Sequence, residues 1–148
     1  VVIQVSSVNE MRTIGEKIAA QLKLGDLIIL SGELGAGKTA LSQGIGRGLG
    51  ISEITSPTFV ISRIHNGRVP LIHVDAYRLI QSPGVLLEFQ DLDLPSKMSE
   101  VVTVIEWGSD LAPLLKDEFL EITIEFISDT ERSLDFIPHG PRWQGFKL

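Results

Sequence analysis

The sequence contains no cysteine. Disulfide bonds, thiolate nucleophiles and cysteine-ligated metals are therefore excluded, and a reducing compartment suits the chain. Apolar stretches long enough for a bilayer are missing as well. Runs such as Leu27-Ile28-Ile29-Leu30 fall far short of the roughly 20 residues a membrane helix needs. No basic segment leading into an apolar run marks a signal peptide. These absences lead us to expect a cytoplasmic protein with no membrane association. Basic residues are also scarce: 13 Lys and Arg stand against 19 Asp and Glu, for a formal charge of −6. That balance argues against a chain that clamps nucleic acid across its own surface. Arg63, Arg68 and Arg78 fall in one short stretch, but no bias in composition distinguishes them from scattered solvated arginines. Any contact with RNA is expected to run through a partner.

What is present suits one globular unit. With 148 residues, 43% hydrophobic and 22% charged, the chain can bury one core and is short for two. We expect a single domain over 1–148, without repeats or linkers. Residues 1–5 read as a short strand. Ser7-Val8-Asn9-Glu10 has capping-box spacing, and Met11, Ile14, Ile18 and Leu22 then recur on one helical face. Gly25 is placed to end that helix, before a buried strand at 27–30. A glycine-rich turn follows, then a helix from about Gly37 to Gly48, whose alternating glycines imply close packing. Residues 58–65 and 69–75 are β-rich runs joined through Asn66-Gly67, a hairpin signal. The leucine- and acid-rich segment 86–98 reads as a mobile lid or short helix. A buried strand at 101–105, a helix at 109–115 and an antiparallel strand pair at 120–126 and 133–137 complete the pattern. The tail from 138, with Pro138, Gly140, Pro141 and Gly145, reads as irregular. The sum is an α/β fold of the P-loop NTPase type: a mostly parallel central sheet flanked by helices, with an antiparallel hairpin.

The most informative segment is Gly32-Glu33-Leu34-Gly35-Ala36-Gly37-Lys38-Thr39. Glycines at 32, 35 and 37 let backbone amides turn inward toward phosphate oxygens. The following helix N-terminus adds to this anion site. Lys38 supplies a mobile cation for the β- and γ-phosphates, and Thr39 a hydroxyl for Mg²⁺. The bland alternative is a glycine-rich strand–helix turn with no ligand. Such a site also needs an acid at the end of a neighbouring strand. Asp75 and Glu106 both end apolar runs whose carboxyl ends should open on the ligand crevice. His73, beside a buried valine, reads as a structural group and receives no chemistry.

Four blocks occur in order: residues 31–39, Thr55-Ser56-Pro57-Thr58-Phe59, His73-Val74-Asp75-Ala76-Tyr77-Arg78-Leu79, and Ile105-Glu106-Trp107. Together they resemble the TsaE (YjeE) family, bacterial ATPases of the tRNA threonylcarbamoyladenosine pathway, over about residues 7–132. The resemblance implies ATP/ADP and Mg²⁺ as ligands. Glu33, Leu34, Gly35, Ala36, Gly37, Lys38, Thr39 and Ala40 would bind the nucleotide, with Trp107 and Arg132 near it. Thr39 and Glu106 would share the metal. Asp75 would stand near the γ-phosphate as base or water-orienting group, with Lys38 on the phosphates and Thr58 as a switch threonine. The family often carries threonine where Met11 stands here. It also has a leucine-glycine pair after Pro83, where Phe89-Gln90-Asp91-Leu92 has no glycine. The implied partners are TsaD and TsaB, with tRNA reached only through that complex. ATP hydrolysis would support their turnover in modifying adenosine 37. No arginine finger is evident beside the loop, so hydrolysis by the isolated chain is expected to be slow and partner-stimulated. A small-molecule kinase would show an arginine-rich lid, and 86–98 has no arginine. A GTPase-like switch would need an Asn-Lys-x-Asp run, and none is present.

Overall fold

A computed structural model of the chain describes residues 2–51, 62–77, 94–109 and 112–148. Its frame is a seven-stranded sheet in the order β1-β7-β6-β2-β5-β4-β3. The strands are β1 (Val2–Val5), β2 (Leu27–Gly32), β3 (Ser62–His65), β4 (Leu71–Asp75), β5 (Val102–Glu106), β6 (Phe119–Phe126) and β7 (Arg132–His139). The central pairs β6–β2, β2–β5 and β5–β4 are parallel. The pairs β3–β4, β6–β7 and β1–β7 are antiparallel. Five strands thus run one way, with β3 and β7 reversed, as the expected mostly parallel sheet with a hairpin requires. Near-continuous apolar runs in β2, β4 and β5 follow from burial on both faces.

Two helices, α1 (Val8–Ala19) and α2 (Lys38–Gly48), cover one face. There Met11, Ile14, Ile18, Leu41 and Ile45 meet Ile28, Leu30, Leu71 and Val104 in one core cluster. The opposite face carries Leu27, Ile29, Ile72, Val74 and Ile105 against Met98 and Ala112. Those last two belong to short elements: α3 (Leu94–Lys97), continued by a 3₁₀ turn at Met98–Glu100, and α4 (Ala112–Leu115). Glycines on both helices have a packing cause. A Cβ on Gly15 would lie 2.6 Å from the Leu41 carbonyl, and one on Gly44 would collide with the Arg12 backbone. The two helices touch backbone to backbone.

Several local readings change. The first helix stops at Ala19, and Gly25, at φ +92°, instead shapes the turn into β2, donating its N–H to Val101 O at 2.8 Å. Ser7 caps α1 as expected, accepting from Glu10 N at 3.1 Å. The Glu10 carboxylate, however, reaches back to the Ser6 amide and hydroxyl and not to Ser7. The hairpin forms, but its loop runs over 66–70, because Arg68 N is drawn to Leu49 O at 2.7 Å. The tail is more ordered than its prolines and glycines suggest. Strand β7 runs on to His139, a 3₁₀ turn spans Pro141–Trp143, and Trp143 is buried in the main core. Arg142 fixes this tail to the front of β2, its Nε and Nη2 donating to the two carboxylate oxygens of Asp26 at 2.9 and 2.8 Å. The first part of the 86–98 segment, together with Thr58 and Arg78, lies outside the described residues.

Candidate functional site at the loop between β2 and α2

At the C-terminal end of β2 the chain turns through Gly35 (φ +82°) and Gly37 (φ +116°), a left-handed path that residues with a Cβ resist. Gly37 is the N-cap of α2 and offers no side chain to the helix's first amides. Those amides are left open at the positive end of the helix dipole, an arrangement suited to an anion.

Lys38, the first residue of α2, is buried. Its Nζ donates to Gly32 O at 2.7 Å and Glu33 O at 2.9 Å, and sits 3.9 Å from the centre of the Trp107 ring. Burial pushes its ammonium below the usual lysine range, while the carboxylates of Glu106 and Asp75 oppose that shift. Asp75 and Glu106 come from strands 31 positions apart in sequence, yet are directly paired in the β4–β5 register. Parallel strands place both at the same end of the sheet, facing the loop. Asp75 is half-buried; burial pushes its carboxyl upward, the Tyr77 amide that donates to Oδ1 at 3.0 Å works against this, and the Glu106 charge adds to it. With Lys38, Thr39, Tyr77 and Trp107, the two acids line a cavity of about 340 Å³. Trp107 has φ +64°, the only left-handed non-glycine backbone among the described residues. Its amide donates to Leu30 O at 2.9 Å and its ring lies 4.9 Å from that of Tyr77. This backbone turn carries the indole over Lys38.

A second cavity, of about 280 Å³, opens on the other side of Gly35 and Gly37. Its walls include Ser7, Met11, Thr130 and Arg132. Arg132 therefore does not join Lys38 and the acids. Its guanidinium donates to Ser128 O at 2.8 Å and covers the Phe126 ring at 4.1 Å. Of the other expected residues, Glu33 and Leu34 are exposed on the loop, Ala36 is buried and Ala40 packs partly against the core. Among the described residues no cluster of three or more His, Asp or Glu forms a metal cage. The donors at the loop are one hydroxyl and two carboxylates, from Thr39, Asp75 and Glu106. Hard oxygen donors in that small number fit Mg²⁺, which commonly takes one or two carboxylates and completes its shell with phosphate and water.

Two residues at or beside this site were not singled out for it in the sequence. His73, read as a structural group, is buried, and its Nε2 lies 2.5 Å from Glu106 Oε2. Tyr77 was quoted only within a block. The signal for His73 was its parity: residues 73 and 75 share one face of β4.

Comparison with known proteins accords with this geometry. The family described as "Threonylcarbamoyl adenosine biosynthesis protein TsaE" matches residues 5–134. A Streptomyces coelicolor protein named tRNA threonylcarbamoyladenosine biosynthesis protein TsaE is 45% identical, covering 90% of this chain and 93% of its own. A Bacillus subtilis protein of the same name is 38% identical, covering 91% and 84%. The crystal structure of YdiB from Bacillus subtilis superposes with a TM-score of 0.79 at 32% identity, over 97% of this chain and 88% of that one. With its loop, its paired acids and this match over most of its length, the chain belongs to the TsaE family.

Proposed function

We propose that the chain is a Mg²⁺-dependent ATPase that supports turnover of a TsaD–TsaB complex during threonylcarbamoylation of tRNA. The observation that carries this reading is the convergence of Lys38, Thr39, Asp75 and Glu106 on one cavity at the open N-terminus of α2. The loop amides would hold the β-phosphate, and Lys38 would exchange two backbone carbonyls for phosphate oxygens. Thr39 and Glu106 would hold Mg²⁺, which when bound neutralises charge on the phosphates. Asp75 would orient the attacking water or accept its proton, a task that its raised pKa favours. The second cavity would take the base and ribose, with the Met11 thioether as an adaptable apolar wall. Names of the relatives support the pathway; the partners and tRNA route rest on the family resemblance.

No arginine lines the Lys38 cavity among the described residues. Hydrolysis by the isolated chain is therefore slow, and a partner completes or orders the site. Binding of ATP and of GTP, together with phosphate release from each with and without Mg²⁺ and with TsaD–TsaB added, tests this. Slow ATP hydrolysis that needs Mg²⁺ and rises with the partners supports it. Tighter binding of GTP than ATP, or fast hydrolysis by the chain alone, overturns it.

A further inference from the structure

We propose that His73 is a positioning residue: it holds the Glu106 carboxylate in the orientation that receives Mg²⁺. The inference rests on the proposed function, since it concerns the same site. On the face of β4 toward α1 and α2, Leu71 is followed by His73 and then Asp75, and in β5 Val102 and Val104 are followed by Glu106. The apolar ladder of the core thus turns polar one residue pair before the cavity. His73 is the first polar rung and is 0% exposed. A leucine or valine would fill the same layer without a desolvated ring nitrogen, so the packing alone gives no reason for histidine.

Its polar contacts identify the task. Nε2 donates to Glu106 Oε2, whereas Nδ1 is buried with no hydrogen-bond partner among the described residues. The one described hydrogen bond of the imidazole therefore goes to a single carboxylate oxygen, and its effect on Asp75 is electrostatic only. Glu106 is itself 4% exposed, and a long carboxylate side chain has several rotamers to choose from. With Oε2 engaged from behind by a rigid ring, that choice is fixed and Oε1 is left for the cavity that Glu106 lines. Carboxylates that bind metals are commonly steadied this way, and losing the supporting group typically weakens metal affinity 10–100-fold. Among the described residues Asp75 has no such side-chain hydrogen bond; its Oδ1 is held by the Tyr77 amide. The two acids are thus held by different means, one by a side chain and one by backbone.

The test is calorimetric titration of ADP into the purified chain over a range of Mg²⁺ concentrations and in EDTA. His73→Leu should raise the Mg²⁺ concentration needed for tight ADP binding by about 10–100-fold. Binding in EDTA should stay within about twofold of wild type, because His73 touches neither the loop nor the second cavity. His73→Gln, whose amide places a donor near the position of Nε2, should restore most of the Mg²⁺ response. His73→Asn, too short to reach Glu106, should behave like His73→Leu and serves if the leucine variant does not fold. A loss variant with an unchanged Mg²⁺ response overturns the inference. So does an equal loss of ADP binding with and without Mg²⁺, or failure of glutamine to rescue. If the wild-type chain binds ADP without regard to Mg²⁺, the proposed function falls and this inference with it; the other contrary results leave that function standing.

Discussion

Replacing Gly44 by alanine sets two physical effects against each other, and the structure decides the winner. In an exposed helix the change would stabilise the chain by about 1 kcal/mol, because glycine is the poorer helix former. Here the added Cβ would collide with the carbonyl and Cα of Arg12 in α1. The obstacle is backbone and cannot rotate aside, so relief requires moving α2 away from α1. Overpacking of this kind costs about 1–3 kcal/mol, and a rigid obstacle places it near the top of that range. Subtracting the propensity gain leaves a net loss of about 2 kcal/mol, which for a chain of this size lowers Tm by roughly 4–8 °C. Because α2 begins at Lys38, the same displacement should disturb the loop and weaken ADP binding. Thermal melts followed by circular dichroism, with and without ADP, would measure both effects. A Tm equal to or above that of wild type would refute the packing argument, since propensity alone would then have decided the outcome.

Two further perturbations probe the site and the tail. The Asp75 carboxyl is raised by burial, so the folded chain retains that proton at pH values where the unfolded chain has lost it. Its burial therefore costs stability above the folded-state pKa and nothing below the unfolded-state pKa. Asp75→Asn should melt higher than wild type near about pH 8, and this advantage should vanish as pH falls toward about 4; an offset independent of pH would contradict the assignment. Arg142→Ala strips two charged hydrogen bonds from Asp26, which is 3% exposed. Breaking a buried pair costs about 3–5 kcal/mol, and the partial exposure of the guanidinium puts this case near about 3. Tm should fall by roughly 6–12 °C, and a fall of less than about 2 °C would mean the tail is not anchored there.

The parts of the fold that were legible in the sequence are those set by short-range rules. Apolar runs gave the central strands, the spacing of Met11, Ile14 and Ile18 gave the buried face of α1, and the glycine run between β2 and α2 gave the left-handed turn into an uncapped helix. Strand ends gave Asp75 and Glu106 as candidates. That the two are register partners follows only from the crossover that sets β4 beside β5, which no local pattern encodes. The Arg142–Asp26 pair spans 116 positions; residues 138–148 are largely irregular as read, but β7 reaches His139 and Trp143 is buried, and proline and glycine mark turns without signalling either. Gly25 ends no helix because α1 had already stopped at Ala19 and the glycine is needed for the turn into β2. His73, read as a structural group, is indeed buried and hydrogen-bonded; that its partner is Glu106 was hidden because a strand pattern does not show which neighbour β5 supplies.

The proposed function requires that nucleotide turnover at Lys38 drive repeated rounds of tRNA modification. The most direct measurement is multiple-turnover threonylcarbamoylation of a cognate tRNA by TsaD, TsaB and the threonylcarbamoyl-adenylate synthase. It would be run without this chain, with it, and with a Lys38→Ala variant of native circular dichroism. Many rounds are expected with the wild-type chain and about one without it or with the variant. Equal turnover in all three reactions would contradict it.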